Sequence, residues 1–199
     1  APYIPVNGKT IVLYSDVPLV SAKTLKKLIR SSLRKKISIL TTNLKNPKGY
    51  GRVVRTEKQD IEAIREEADA NSKEKQIQEI FSGIMVVDNA FLKKGLKTLV
   101  RNNAAGEYYL TDLVSYAQRT KNKVGSYSID QEEVLGANNK HELSDLYKAM
   151  VALNIRAAKQ KGTIFKDEDT CYVEGQLKVG KDVKIGNNVT LKGNVQLGD

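Results

Sequence analysis

The 199-residue sequence has no tryptophan, one cysteine, one histidine and four prolines. With Cys171 alone, no internal disulfide can form, and a reducing compartment is the expectation. No zinc-type spacing of cysteine and histidine occurs. No apolar run approaches the roughly 18 residues that a membrane span needs. The longest, Ile84-Met85-Val86-Val87, is strand-sized. The opening Ala1-Pro2-Tyr3-Ile4-Pro5 has neither a basic region nor an apolar stretch, so no signal peptide is read there. No methionine opens the chain, which fits a start inside a longer protein. These absences leave no membrane segment to be read in the sequence.

Acidic residues are missing from one stretch. Between Val17 and Thr56 lie eleven of the 33 Lys/Arg and none of the 23 Asp/Glu. The net charge of +10 is therefore local, and the rest of the chain is nearly balanced. Three readings are open: a solvated helix face, a site for a phosphate-bearing small substrate, or nucleic acid. Few aromatics lie among these charges and no recognised nucleic-acid motif appears, so no nucleic-acid partner is expected.

What is present has an α/β grammar. Thr10–Tyr14, Ile37–Thr42, Arg52–Arg55, Ile80–Val87 and Val124–Ile129 are short apolar or β-branched runs and read as strands. Ser21–Lys36, Phe91–Arg101 and Glu107–Arg119 read as helices; the first sets Leu25, Leu28, Ile29 and Leu33 on one face. Residues 61–79 fit either a helix or a strand. Strands alternating with helices predict a sheet with covered faces. His141–Lys161 reads as a long helix with Leu143, Leu146, Met150, Leu153 and Ala157 on one stripe, stopped by Gly162.

The pattern then changes. Val173, Val179, Ile185, Leu191 and Leu197 recur every six residues, and Gly180, Gly186 and Gly198 each follow one of them. One aliphatic residue per six is the signature of a hexapeptide parallel β-helix. The glycines are expected at corners that need positive φ.

Four motifs occur in order: Tyr14-Ser15-Asp16-Val17-Pro18-Leu19, Asn46-Pro47-Lys48-Gly49-Tyr50-Gly51-Arg52-Val53-Val54-Arg55, Gly106-Glu107-Tyr108-Tyr109-Leu110-Thr111-Asp112 and Gly136-Ala137-Asn138-Asn139. With the hexapeptide tail, they resemble the bacterial bifunctional N-acetylglucosamine-1-phosphate uridyltransferase / glucosamine-1-phosphate acetyltransferases. The resemblance runs from about Ile11 to the end. It implies an internal fragment: residues 1–140 from the second half of a Rossmann-like uridyltransferase domain, 141–161 a linker helix, and 162–199 the start of a left-handed β-helix. The fold class expected is α/β followed by that coil.

The resemblance also implies chemistry. The intact family moves an acetyl group from acetyl-CoA to glucosamine-1-phosphate. It then joins the product, N-acetylglucosamine-1-phosphate, to UTP, giving UDP-N-acetylglucosamine for peptidoglycan and lipopolysaccharide. It assembles as a homotrimer through the coil. Asp16 and Asn138 match the family's magnesium ligands. Tyr14, Ser15, Asp16, Gly51, Glu66, Phe81 and Asn138 match positions that touch UDP-N-acetylglucosamine. Glu67 stays open as a one-residue alternative to Glu66.

Three features depart from the family. Its glycine-rich phosphate loop is not in this sequence, and no histidine lies in the coil; His141, at the start of a helix, reads as structural. Where the family has Asn-Thr-Gly, this chain has Phe81-Ser82-Gly83, and phenylalanine offers a sugar neither donor nor acceptor. Two other functions remain open: a pyrophosphorylase for a different sugar nucleotide, and a non-catalytic trimerising module.

Overall fold

The computed structural model describes residues 3–137 and 139–198. The chain divides into two compact units, residues 1–135 and 136–199.

The first unit is built on a six-stranded mixed sheet. Its strands are β1 (Lys9–Val12), β2 (Ile37–Asn43), β3 (Arg52–Arg55), β4 (Ile61–Arg65), β5 (Glu79–Asp88) and β6 (Val124–Ser128). β5 pairs antiparallel with β2 along one edge. Along its other edge it pairs first with β3 at Ile80 and then with β1 from Met85 to Asp88. β3 and β4 form a hairpin, which resolves the ambiguous segment after Ile61 as strand. The described strands contain one parallel pair in this sheet, β2 with β6. The strand before Asp16, β1, pairs antiparallel with β5.

Three helices cover the sheet. α1 (Ala22–Ser31) packs Leu28 against Leu40, Ile84 and Val86 on one face. α2 (Asn89–Leu96) and α3 (Asp112–Arg119) pack Phe91, Leu92, Leu113, Val114 and Ala117 against Ile37, Ile39, Phe81, Met85 and Val87 on the other. Both faces of β5 are thus buried, which explains its unbroken apolar run. All three helices are shorter than their apolar periodicity suggests. α1 stops at Ser31, which leaves Leu33 72% exposed rather than on the packed face. Ser31 and Ser32 hydroxyls bond the carbonyls of Leu28 and Ile29, closing that end. Residues 107–111 precede α3 as loop, although their composition suits a helix. There Asn103 bonds both the N–H and the carbonyl of Glu107, which holds the segment as a turn.

The second unit opens with α4 (Lys140–Lys159), capped by the Asn139 side chain. The buried stripe is Leu146, Val151, Ile155 and Ala158. That corrects the expected stripe: Leu143 and Ala157 are exposed. Two neighbouring stripes of this helix are apolar, and packing against the following strands selects the one with the β-branched residues. Asn154 secures the contact by donating to the Val173 carbonyl at 2.8 Å. Gly162, at φ 97°, follows the helix as expected.

Four strands follow: β7 (Ile164–Phe165), β8 (Tyr172–Val179), β9 (Lys184–Ile185) and β10 (Thr190–Leu197). β8 pairs parallel with β10 from Tyr172↔Thr190 to Val179↔Leu197, an offset of 18 residues, or three hexapeptides. Val173 and Ile185 are buried, with Leu191 and Leu197 packed against them. A second stripe two residues earlier was missed. Cys171, Leu177, Val183 and Val189 also join this core, at the same period of six. The corners also differ from expectation. The described residues with positive φ here include Asp182 (55°) and Asn188 (56°), but not Gly180, Gly186 or Gly198. Short polar side chains tolerate the left-handed region by bonding locally, so aspartate and asparagine turn these corners.

Ile185 is 5% exposed at the centre of this small core. Ile185→Asp places an unpaired charge there, at an expected cost of at least about 4 kcal/mol. Circular dichroism and amide NMR should show the second unit unfolded and the first unit melting as before. Native dispersion of the 162–198 amides in the variant would contradict this core assignment.

Candidate functional site

The site builds from four loop ends of the first unit. β1 ends at Val12, and the chain turns over Tyr14–Val17, with Val17 N–H bonding the Tyr14 carbonyl. Ser15 and Asp16 are exposed at the tip of this turn. The Tyr14 ring lies against Gly83. A Cβ at residue 83 would stand 2.4 Å from the ring, and φ there is +82°, so this position requires glycine. The chain then enters α1 at Ser21, whose hydroxyl accepts from Thr24 N–H. The first turn of α1 has no acid of its own. Glu133 supplies one, accepting from Ser21 N–H and from the Thr24 hydroxyl, both at 2.9 Å.

The second loop end carries Gly51, between the Pro47–Tyr50 turn and β3. The third carries Glu66, the first residue after β4. A Cβ at residue 51 would stand 2.9 Å from Ile64 Cγ2 and 3.2 Å from Glu66 Oε2, so Gly51 and the Glu66 carboxylate are direct neighbours. The fourth end is the start of α3, where the Thr111 hydroxyl donates to Glu66 Oε1 at 2.7 Å. Nearby, Asp69 accepts from Ala104 N–H.

Electrostatics tie these groups together. The Tyr14 phenol is pushed up by burial, then by the negative charges of Glu66 and Asp16. The Tyr109 phenol is pushed up by burial, then by Asp69 and Glu66. Both rings stay neutral donors across the ordinary pH range. The cluster is acidic and hydroxyl-rich rather than basic.

Gly51 and Glu66 are therefore neighbours, and the charges of Glu66 and Asp16 both act on Tyr14. Phe81 is placed differently: it is 5% exposed, and its side chain is part of the core with Ile37, Ile39 and Met85. Its backbone N–H bonds the Gly51 carbonyl at 2.8 Å, so it holds the glycine from behind. Asn138 lies outside the described residues. Glu67 has separate partners, the Arg52 guanidinium at 2.6 Å and Gly49 N–H at 3.1 Å. Three groups were not singled out from the sequence: Thr111, Tyr109 and Glu133. The first two lie in a quoted motif, which was the available signal. Among the described residues, no three His, Cys, Asp or Glu side chains converge as a metal cage, and no helix is long and apolar enough to cross a membrane.

No protein-family model matches the chain. Curated relatives do. It is 40% identical over 199 residues to the bifunctional protein GlmU of Acinetobacter baylyi, covering 100% of this chain and 44% of that protein. The GlmU of Idiomarina loihiensis is 38% identical over the same span, and that of Caldanaerobacter subterraneus subsp. tengcongensis 34%. End to end, the chain is similar to part of GlmU. The resemblance read from its motifs is borne out, and the chain spans 44% of the length of these GlmU proteins. A solved structure titled as a putative glucose-1-phosphate thymidylyltransferase from Bacillus anthracis superposes with a TM-score of 0.47 at 15% identity, over 71% of this chain and 54% of that one. That likeness is too loose to bear on the site.

Arg52 is 2% exposed, and Glu67 is its carboxylate partner. Glu67 is held below its ordinary value of 4.5, first by the Arg52 hydrogen bond and then by Gly49 N–H. A depressed carboxylate stabilises the fold above its unfolded value and loses that contribution as pH falls through the folded one. Glu67→Gln should therefore lower the melting temperature at pH 7, with the gap to the parent closing as pH drops below 4.5. A pH-independent gap would contradict the pairing.

Proposed function

We propose that this chain carries the sugar-phosphate half of a uridyltransferase site. The reaction would join N-acetylglucosamine-1-phosphate to UTP, giving UDP-N-acetylglucosamine and pyrophosphate. The observation that supports this most is the convergence of Glu66, Gly51 and Tyr14 on one recess, at the positions the GlmU resemblance implies. Each suits a sugar. A carboxylate accepts from hydroxyls. A glycine lets the backbone approach without a Cβ. A neutral phenol offers both a donor and an acceptor.

Asp16 fits a magnesium ion. It is an exposed, hard oxygen donor on a loop beside this recess, and magnesium keeps most of its waters and needs only one or two protein ligands beside substrate phosphates. Asn138 is the proposed second ligand. When bound, the ion would neutralise charge on the phosphates. The chain's own residues orient the sugar: Gly51 and Glu66 fix its hydroxyl face, and Tyr14 walls the side toward Asp16.

The second unit is proposed as the first coil of a left-handed β-helix. Support comes from the 18-residue offset of β8 and β10 and from the two period-six stripes. In the whole protein that coil would continue into an acetyltransferase acting with acetyl-CoA on glucosamine-1-phosphate, and three copies would pack through it. A cytoplasmic location follows from these substrates.

Calorimetric titration of the chain with N-acetylglucosamine-1-phosphate tests this. Binding should need magnesium. Asp16→Asn should abolish the magnesium dependence, and Glu66→Ala should weaken binding about tenfold. Binding of UTP alone as tight as that of the sugar phosphate would overturn the assignment. Pyrophosphate release by the isolated chain is not expected, because the charge-stabilising phosphate loop of the resemblance is absent from its sequence.

A further inference from the structure

We propose that Thr111 is a positioning residue that orients the Glu66 carboxylate toward the sugar. This rests on the sugar-phosphate reading of the recess and assigns a role to the motif Gly106–Asp112.

The argument starts from what Thr111 does not do. It is the residue immediately before α3, the N-cap position. A threonine there usually turns its oxygen onto a free N–H of the first turn, worth about 1 kcal/mol. Thr111 makes no such side-chain cap bond, and its backbone is already helical at φ −62°, ψ −22°. Its hydroxyl is a single O–H donor, and that donor goes to Glu66 Oε1 at 2.7 Å. The group is 3% exposed, so water does not compete for it. The helix forgoes a cap, and a carboxylate 45 residues away gains a fixed partner.

Glu66 needs one. It follows the last residue of β4, is half-buried, and has a long side chain whose freedom is costly to lose. Among the described residues no basic side chain pairs with it. A salt bridge would have turned the carboxylate toward its cation and used both oxygens, as Arg55 does to Glu79. A hydroxyl holds one oxygen and leaves the other free. Oε1 takes the threonine, and Oε2 lies beside Gly51, 3.2 Å from where a Cβ would stand. Thr111 thus fixes one oxygen of Glu66 and leaves the other to accept from a neutral sugar hydroxyl.

The test uses the full chain and four variants. Thr111→Val keeps the shape and removes the hydroxyl; Thr111→Ser keeps the hydroxyl. Affinity for N-acetylglucosamine-1-phosphate should fall about tenfold in Thr111→Val and return to within about twofold of the parent in Thr111→Ser. On a Glu66→Ala background, Thr111→Val should add no further loss, because the two residues act through one bond. Equal losses in both threonine variants, or additive losses with Glu66→Ala, overturn the role. A ligand-free readout separates this claim from the site assignment. By NMR, the Thr111 hydroxyl proton should exchange slowly with water in the parent and fast in Glu66→Ala. A fast-exchanging proton in the parent removes the hydrogen bond, and the proposal falls whatever the sugar does. A slow proton in a parent that binds no sugar phosphate instead overturns the sugar-phosphate reading, and the positioning role with it.

Discussion

One backbone constraint governs the first unit: the glycine in the middle of β5. Gly83 sits at φ +82° between two stretches of that strand with different neighbours. Before it, Ile80 pairs with β3; after it, Met85–Asp88 pair with β1. The β2–β5 register also shifts at this level, between Ile39 and Thr41. The missing Cβ lets the Tyr14 ring lie on the strand. The site forms where β5 changes partner, because the end of β1, the start of β3 and the end of β4 all arrive beside that gap. An alanine there would meet the ring at 2.4 Å and take a strained φ as well.

Charge is distributed with the same economy. The acidic groups of the site are Glu66, Asp16 and Asp69, and although Gly51 itself belongs to the basic stretch from Val17 to Thr56, several cations of that stretch are engaged within the fold. Arg52 is buried against Glu67, Arg55 pairs with Glu79 at 2.6 Å, and Lys36 reaches Asp88 at 3.4 Å. Lys27 stands 5.5 Å from the centroid of the Tyr127 ring. Several cations of the run therefore act within the fold, and the solvated-helix reading accounts for lysines such as Lys23 and Lys26 on the exposed face of α1.

Some of this was legible in the residues alone. Short β-branched runs located β1, β2, β3, β5 and β6, since burial on both faces demands continuous apolar side chains. The period of six located the second core, because each repeat contributes one inward aliphatic residue. The rest depends on tertiary contacts. Residues 61–65 have helix-forming composition, yet edge pairing with β3 makes them a strand. The buried stripe of α4 was chosen by its neighbour, not by its own periodicity. Corners at Asp182 and Asn188 were hidden by nearby glycines that look better suited. Within the site, Asp16 and Gly51 lie in quoted motifs, and Glu66 was reached only through the family resemblance. Thr111 lies in a quoted motif too, but its role was hidden because its partner lies 45 residues away and the helix was expected to start earlier, at Glu107. Phe81 was expected to line the recess from its position alone, but its apolar side chain is buried in the core.

The most direct measurement is an amide chemical-shift map of the whole chain titrated with N-acetylglucosamine-1-phosphate and magnesium. The account predicts saturable shifts at Tyr14, Asp16, Gly51, Glu66, Gly83 and Thr111, with none in β8, β10 or α1. Shifts confined to the α1 lysines, with the recess unmoved, would contradict it.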